Sequence, residues 1–366
     1  MHIEFLSLRQ FRNLVPLDIK FSKGTVFIRG DNGQGKTNLL EAIYFCATGK
    51  SFRRATHQQI IAHNCNSMQL KARIERQSIY HDIEIGLEDK RRSIQVDGRG
   101  IRKTSSLFEL LNIVAFFPDD LRIIKGSPEE RRRFLDRFVA NQAPTFLDAH
   151  GHYTKLLTSR NALLKAQGRL DPILLESYDE GLIEHGAQMH MLREQALEIL
   201  KPKAQNYVKD ILGEETSSEL GLESGLKMSC EPGDFKDSFR NALRESFPKD
   251  RARGITSVGP HRADLLVELD GVDARHFASQ GQQRALILAM KLGEVEILTE
   301  HLQAPPILLL DDVSSELDTR RTQHLFSLIR RVGGQVFVTT TGAADLPSLP
   351  EDQSFYVRNG CVEPAG

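Results

Sequence analysis

Eight consecutive residues, Gly30-Asp31-Asn32-Gly33-Gln34-Gly35-Lys36-Thr37, have the spacing G-x-x-x-x-G-K-[ST]. Glycines without a Cβ let the backbone bend until successive N–H groups point inward at anionic oxygens. A helix starting near Lys36 would add its positive end to the same place. Lys36 could then reach the terminal phosphates of a nucleotide, and the Thr37 hydroxyl could take a divalent cation such as Mg²⁺. Near the other end of the chain, Ile307-Leu308-Leu309-Leu310 runs into Asp311-Asp312. A buried parallel strand ending in acids puts them where ligands sit in open α/β sheets. Asp311 would hold the Mg²⁺, and Asp312 would orient or deprotonate an attacking water. Four aliphatic residues and two acids also describe a core strand that simply runs out into solvent; the glycine loop is what favours the chemical reading. A third element, Ser279-Gln280-Gly281-Gln282, opens a helix. Alone it is either an ordinary N-cap or an anion-binding helix end.

These residues need particular supports. The β-rich run Thr25–Arg29 leads into the glycine loop, and Asn38–Phe45 leads out with helical character. Ile3–Leu8 and Leu17–Phe21 read as earlier strands. Between 68 and 97, apolar residues alternate with charged ones through Leu70, Ala72, Ile74, Ile83, Ile85 and Leu87, and Asp97-Gly98 is a hairpin signal; this predicts an antiparallel meander. From about 118 to 250 the pattern turns helical, with helices near 153–167, 173–200 and 235–246. Ser127-Pro128-Glu129-Glu130 is a capping box before an apolar face of Phe134, Leu135, Phe138 and Val139. Glu129 and Arg133 are spaced for an i,i+4 pair. Gly213–Gly225 reads as a loop or weak strand. Strand, helix, strand, helix, strand then follow through 264–269, the segment after Gly281, 307–310, 318–331 and 335–338, as an α/β unit requires. Lys36 and Asp311 must touch one nucleotide, so both ends belong to one sheet. The expected fold is an α/β P-loop head of residues 1–117 and 250–366, a mixed sheet with an antiparallel meander, with a mainly helical arm of 118–249 inserted as a lid.

Composition narrows the classes. The 366 residues carry 48 Lys and Arg against 49 Asp and Glu, a net charge of −1, so global charge does not itself point to nucleic acid. Local basic surfaces still count, because charges beyond about 10 Å are screened. Two exist: Arg91, Arg92, Arg99, Arg102 and Lys103 on the meander, and Arg131-Arg132-Arg133 at a helix start. Each is either a DNA contact or a solvated, salt-bridged face. His261-Arg262 would serve DNA, the nucleotide or a buried turn. The start of the chain has no signal-peptide pattern and no run is long enough to span a bilayer, which makes the expected location cytoplasmic, away from membranes. Cys46, Cys65, Cys230 and Cys361 lack zinc spacing, and the twelve histidines form no metal-binding group.

Taken in order, the glycine loop, Ser279-Gln280-Gly281-Gln282, the aspartate strand and Ser315-Glu316-Leu317-Asp318 resemble the phosphate loop, signature, acidic strand and D-loop of the ABC ATPases. Within that superfamily the chain is similar to the SMC-like DNA-repair branch, and most closely to its RecF family. Leu8-Arg9-Gln10-Phe11-Arg12-Asn13 looks like that branch's opening strand and arginine turn. Phe117-Pro118-Asp119-Asp120-Leu121, Lys125-Gly126-Ser127-Pro128, Arg132-Arg133-Phe134-Leu135-Asp136, Gly259-Pro260-His261-Arg262 and Leu309–Asp318 look specific to the family. The likeness covers essentially the whole chain.

The resemblance implies ATP and Mg²⁺ as cofactors, with Arg12, Asn13, Gly30–Thr37, Asn38 and Asp318 around the nucleotide. It implies that Ser279, Gly281 and Gln282 act in trans, capping the γ-phosphate held by a second copy, so that ATP joins a homodimer and hydrolysis releases it. It implies binding to DNA, double-stranded, gapped or at junctions with single strands, in recombinational repair and replication-fork recovery, with RecR and RecO as partners in loading RecA, and a weak, DNA-stimulated ATPase. Three departures bear on this. Asp312 stands where ABC enzymes commonly carry glutamate, Gln280 replaces the first signature glycine, and Thr339-Thr340-Thr341 stands where many carry a histidine. The γ-phosphate sensor is therefore unassigned, and Phe117-Pro118-Asp119 lies roughly where a glutamine loop is expected. A transporter subunit, which would show an uninterrupted signature and the histidine, and an ATP-gated protein scaffold are the competing readings.

Overall fold

The computed structural model describes every residue except 54, 89–90, 103, 167–169, 227–234, 313–325, 328, 330–332, 342–351 and 366. In chain order its elements are β1 (His2–Arg9), β2 (Leu17–Lys20), β3 (Thr25–Arg29), α1 (Lys36–Thr48), α2 (His57–Ile60), β4 (Ser67–Arg76), β5 (Ile79–Glu88), β6 (Arg91–Val96), β7 (Arg99–Gly100), α3 (Ser105–Leu110) and β8 (Ile113–Phe116). There follow α4 (Arg122–Lys125), α5 (Pro128–Gln142), α6 (Thr145–Lys165), α7 (Pro172–Leu212), β9 (Ser218–Glu223), α8 (Phe235–Arg253), β10 (Asp264–Leu269), β11 (Val272–Asp273), α9 (Ala274–Phe277) and α10 (Gln280–Leu302). The chain closes through β12 (Ile307–Leu310), β13 (Val336–Thr340), β14 (Gln353–Arg358) and β15 (Cys361–Pro364). It forms two compact units, Met1–Asp120 with Glu294–Gly366, and Leu121–Gly293.

The first unit holds two sheets. One has the order β15-β14-β3-β13-β12-β8, parallel from β14 to β8, with β15 antiparallel at its edge. Every residue of β12 and β8 is buried, which is why their sequences are unbroken apolar runs. The other sheet, β2-β1-β4-β5-β6-β7, is antiparallel and is the expected meander. Its β4 alternates exposed and buried, sending Met68, Leu70, Ala72 and Ile74 into a core shared with Leu39, Leu40 and Ile43 of α1. The turns Gln77-Ser78 and Asp97-Gly98 both take positive φ (49° and 63°, 51° and 73°), as tight hairpin turns demand. Glutamine side chains tie the two sheets, Gln353 through Lys20 and Ser22 and Gln335 most deeply. Gln335, 1 % exposed, accepts from the Ile3 N–H at 2.8 Å and donates to the carbonyls of Ile3 and Ser22, each at 3.0 Å.

The second unit is helical, with a small sheet β11-β10-β9. The capping box at Ser127 forms as expected, Pro128 opens α5, and Phe134, Leu135, Phe138 and Val139 are buried. α7 is longer than its pattern suggested, 41 residues, with Pro202 inside and the Asp171 carboxylate accepting from the N–H groups of Ile173 and Leu174. The strand Asp264–Leu269 was expected in the head, but it pairs with β9 through Leu265↔Leu222 and Val267↔Leu220 and lies in the second unit. The division accordingly falls at Gly293 rather than at 249. Buried ion pairs hold this unit together: Arg131 with Asp264 (2.6 Å), Arg193 with Asp136 (2.7 Å), and Arg160 with Asp179 (2.6 Å) and Asp250 (3.2 Å). The 318–331 helix lies largely outside the described residues, as do Ser315–Asp318 and Cys230.

Candidate phosphate-binding site

The glycine loop leaves β3 at Gly30, where φ is 148° and an added Cβ would lie 2.3 Å from the Val357 carbonyl oxygen of β14. Gly33 and Gly35 also take positive φ, 79° and 117°, so all three glycines are required by backbone geometry. Gly35 caps α1, whose first turn begins at Lys36 and directs its N–H groups into the loop. Lys36 is 6 % exposed, and its ammonium donates to the carbonyls of Gly30 at 2.7 Å and Asp31 at 2.8 Å. Burial lowers its pKa, while Asp312, Asp311 and Asp31 oppose that shift. The side chains of Asp31 and Asn32 are exposed. The loop's far side is held by the β14–β15 turn: Asn359 N–H donates to Gln34 Oε1 at 2.6 Å and Gly360 N–H to the Gln34 carbonyl at 3.0 Å.

The sheet brings the acids of β12 to this loop, because β13 lies between β12 and β3. The Thr37 hydroxyl donates to Asp311 Oδ1 at 3.0 Å across 274 positions of sequence. The Thr339 hydroxyl donates to the same oxygen at 2.7 Å and accepts the Asp312 N–H at 2.9 Å. Asp311 is 6 % exposed; burial raises its pKa, and the hydroxyls of Thr339 and Thr37 and the Arg53 charge pull it back. Asp312 takes φ 51°, a left-handed conformation uncommon for a residue with a side chain. A cradle of inward N–H groups, a lysine and a paired threonine and aspartate can hold a polyphosphate with a divalent cation.

Asn13 and Asn38 sit together beside the loop: Asn38 Nδ2 donates to Asn13 Oδ1 at 2.6 Å, and Arg53 donates to Asn38 Oδ1 at 2.9 Å. Arg12 reaches two helices. Its Nε and Nη2 donate to both Glu41 oxygens, at 2.9 and 2.7 Å, and its Nη1 donates to the Gln59 carbonyl at 2.6 Å. Glu41 is fully buried on α1 and also accepts from the Ser51 hydroxyl. Nε and Nη2 thus brace α1, the helix behind the loop, while Nη1 ties the arginine to α2. Phe117 stacks on Phe52, centroids 3.7 Å apart, and its N–H donates to Asp120 at 2.7 Å.

In the second unit, Ser279 opens α10 in a reciprocal box: its N–H donates to Gln282 Oε1 at 2.8 Å, and the Gln282 N–H donates to the Ser279 hydroxyl at 3.3 Å. Gly281 lies in that first turn. Buried Gln283 donates to the carbonyls of Ala274 and Ala278, fixing the link from α9. The two basic clusters separate. Arg131 is buried on Asp264, Arg132 donates to the Ala263 carbonyl at 2.6 Å, and Arg133 pairs with Glu129, so this run serves the fold. Arg91, Arg92, Arg99 and Arg102 lie exposed at the β6–β7 edge, with Arg92 also donating to the Gly49 carbonyl at 2.7 Å; Lys103 is outside the described residues. His261 is a half-buried turn residue between the Tyr153 hydroxyl (2.7 Å) and the Thr256 carbonyl (3.1 Å). Sequence reading missed Glu41, Gln335, Thr339 as a hydrogen-bonding partner, and the Asn359-Gly360 turn. Only the last carries a local signal, the Asn-Gly dipeptide.

The RecF/RecN/SMC N-terminal domain family matches residues 2–356. The DNA replication and repair protein RecF of Symbiobacterium thermophilum is 40 % identical over 370 residues, covering 99 % of this chain and 98 % of that protein. The same-named protein of Geobacter sp. (strain M21) is 35 % identical over 360 residues, 98 % of each chain. A solved structure of the recombination mediator protein RecF with ATP, from the RecFOR pathway, superposes with TM-score 0.91 at 32 % identity, covering 100 % of this chain and 97 % of that one. An Smc head bound to the C-terminal winged-helix domain of ScpA superposes at TM-score 0.59 and 18 % identity, covering 100 % and 97 % of the two chains, a likeness of fold.

Proposed function

This chain belongs to the RecF family of DNA replication and repair proteins, within the RecF/RecN/SMC family of ABC-type ATPases, and from that membership we propose that it binds ATP and uses it to control its grip on DNA. The observation that carries the reading is the Thr37–Asp311 hydrogen bond at the mouth of the glycine loop. Lys36 exchanges the carbonyls of Gly30 and Asp31 for β- and γ-phosphate oxygens, while the loop N–H groups and the start of α1 hold the rest of the triphosphate. Thr37 and Asp311 would hold Mg²⁺, which would supply positive charge to the phosphate oxygens. Asp312 orients the water that attacks the γ-phosphorus as the bond to the bridging β–γ oxygen breaks, giving ADP and phosphate. Asn13 and Asn38 line the nucleotide, Asp318 serves it as the family resemblance implies, and Arg12 holds α1.

Ser279, Gly281 and Gln282 cap the γ-phosphate bound by a second copy, so ATP links a two-fold dimer that closes on double-stranded, gapped or junction DNA. The exposed Arg91, Arg99 and Arg102 edge supplies phosphate contacts. Turnover is slow and releases the dimer, and RecR, RecO and RecA are the partners in a cytoplasmic repair pathway. Among the described residues no helix is long and apolar enough to cross a membrane, and the full-length likeness to RecF proteins favours repair over transport. The test measures solution mass and retardation of gapped DNA with ATP, with ADP and with no nucleotide, for wild type and Lys36→Met. The expectation is ATP-dependent doubling of mass and salt-sensitive DNA binding, both lost in Lys36→Met. ATP-independent mass and DNA binding would overturn the reading.

A further inference from the structure

We propose that Thr339 is a positioning residue of this site, a hydroxyl clamp that sets the geometry of both acids at the end of β12. The inference rests on the reading that Thr37 and Asp311 hold a divalent cation with ATP. Thr339 lies at the C-terminal end of β13, beside Ile28 of the strand that leads into the glycine loop, and is fully buried. A threonine hydroxyl has one donor and can accept as well. Here both functions are used: it donates to Asp311 Oδ1 at 2.7 Å and accepts from the Asp312 N–H at 2.9 Å. With the Thr37 donation at 3.0 Å, two hydroxyls converge on Oδ1. Among the described residues no hydrogen bond reaches Oδ2, which leaves that oxygen for the cation or its water.

The acceptor function acts one residue on. Asp312 sits at φ 51°, where a residue with a Cβ stays only when its surroundings hold it. The bond from its N–H to Thr339 is such a hold, and it decides where the chain carries the second carboxylate. One hydroxyl therefore couples the direction of the cation-binding oxygen to the direction of the water-orienting acid. The branched Cβ keeps that hydroxyl in a narrow set of rotamers. Valine has nearly the same shape and lacks the hydroxyl, whereas serine keeps the hydroxyl and drops the methyl.

The experiment uses the full chain, with the Mg²⁺ concentration needed for tight binding of a fluorescent ATP analogue as the first readout and the split of kcat against KM for ATP as the second. In Thr339→Val the Mg²⁺ requirement rises about 10–100-fold and kcat falls by a similar factor, the range for losing a group that orients a metal ligand. ATP binding without Mg²⁺, and KM at saturating Mg²⁺, move less than about threefold, and Thr339→Ser restores all readouts to within that margin. A folded Thr339→Val with wild-type Mg²⁺ dependence overturns the assignment, as does a serine variant as defective as the valine one. If Thr339→Val does not fold, Thr339→Ala is measured against the same expectations, and failure of both to fold reduces Thr339 to a folding role. A wild-type chain that binds no ATP sinks the nucleotide reading itself, an outcome separable from the others.

Discussion

Replacing Arg12 by alanine separates two roles for this residue. Its guanidinium makes two bonds to Glu41 and one to the Gln59 carbonyl, and the Glu41 side chain is 0 % exposed. Removing one partner of a buried pair leaves the other charge unmatched, at a cost of about 3–5 kcal/mol. The Arg12 side chain keeps 18 % exposure, so water can reach part of the vacated space, and the lower figure of about 3 kcal/mol applies. For a unit of roughly 150–250 residues, each kcal/mol lowers Tm by about 2–4 °C, which gives a fall of roughly 6–12 °C. Adding Glu41→Gln removes the stranded charge and recovers about half of the loss. The assay is thermal and urea unfolding of the two variants beside wild type, with ATP affinity measured well below the melting range, where Arg12→Ala changes it less than about threefold, under 1 kcal/mol. A normal Tm combined with a tenfold or larger loss of ATP affinity would refute the bracing role and put Arg12 on the nucleotide.

Two further outcomes follow from the same geometry. Gly360→Ala forces a Cβ to 2.0 Å from the Asn13 carbonyl oxygen at φ 78°, whereas Gly98→Ala, at φ 73°, meets nothing within 4 Å. Both carry the left-handed cost of about 1–2 kcal/mol, so the extra loss in Gly360→Ala reports the close approach to the Asn13–Leu14 backbone; equal losses in urea would refute it. His261 is held by burial at a pKa of about 4 against an ordinary 6.5, so the unfolded chain takes up its proton first. Its contribution is whole above pH 6.5 and is lost as pH falls toward 4, about 3 kcal/mol in all. Urea midpoints from pH 7 to 4 should therefore fall less steeply for His261→Gln than for wild type, and identical slopes would count against the assignment.

The parts of this site that lie close together in sequence were legible before the structure. The run from Thr25 through Thr37 into α1 carries its own signals, because glycine spacing and helix start are local properties. The apolar strand 307–310 and its acids were also readable once the loop gave them a ligand. Strand partnership was not. Asp264–Leu269 alternates well enough to be a strand, but alternation does not say which sheet receives it, and its partner Ser218–Glu223 is short and polar. β8 is only Ile-Val-Ala-Phe, too short to separate from a helical stretch by period. Arg131 shows the same limit for charge. Three arginines in a row read as a surface, yet the first lies inside on Asp264 because α5 turns one side of that run toward β10. Glu41, in a helix whose other faces are apolar, has no local feature that names Arg12 as its partner.

β3 lies between β13 and β14, so the strand that launches the glycine loop has neither neighbour until residues 336–340 and 353–356 exist. On the ribosome, residues 25–29 emerge early and then wait with both edges bare, an arrangement that favours mispairing unless something shields them. An unfinished nascent chain holds every residue of the loop but lacks the strands that flank β3 and the acids that follow β12. Competence to receive a triphosphate is therefore acquired late in translation, and truncated products should be inert toward the nucleotide rather than half-active.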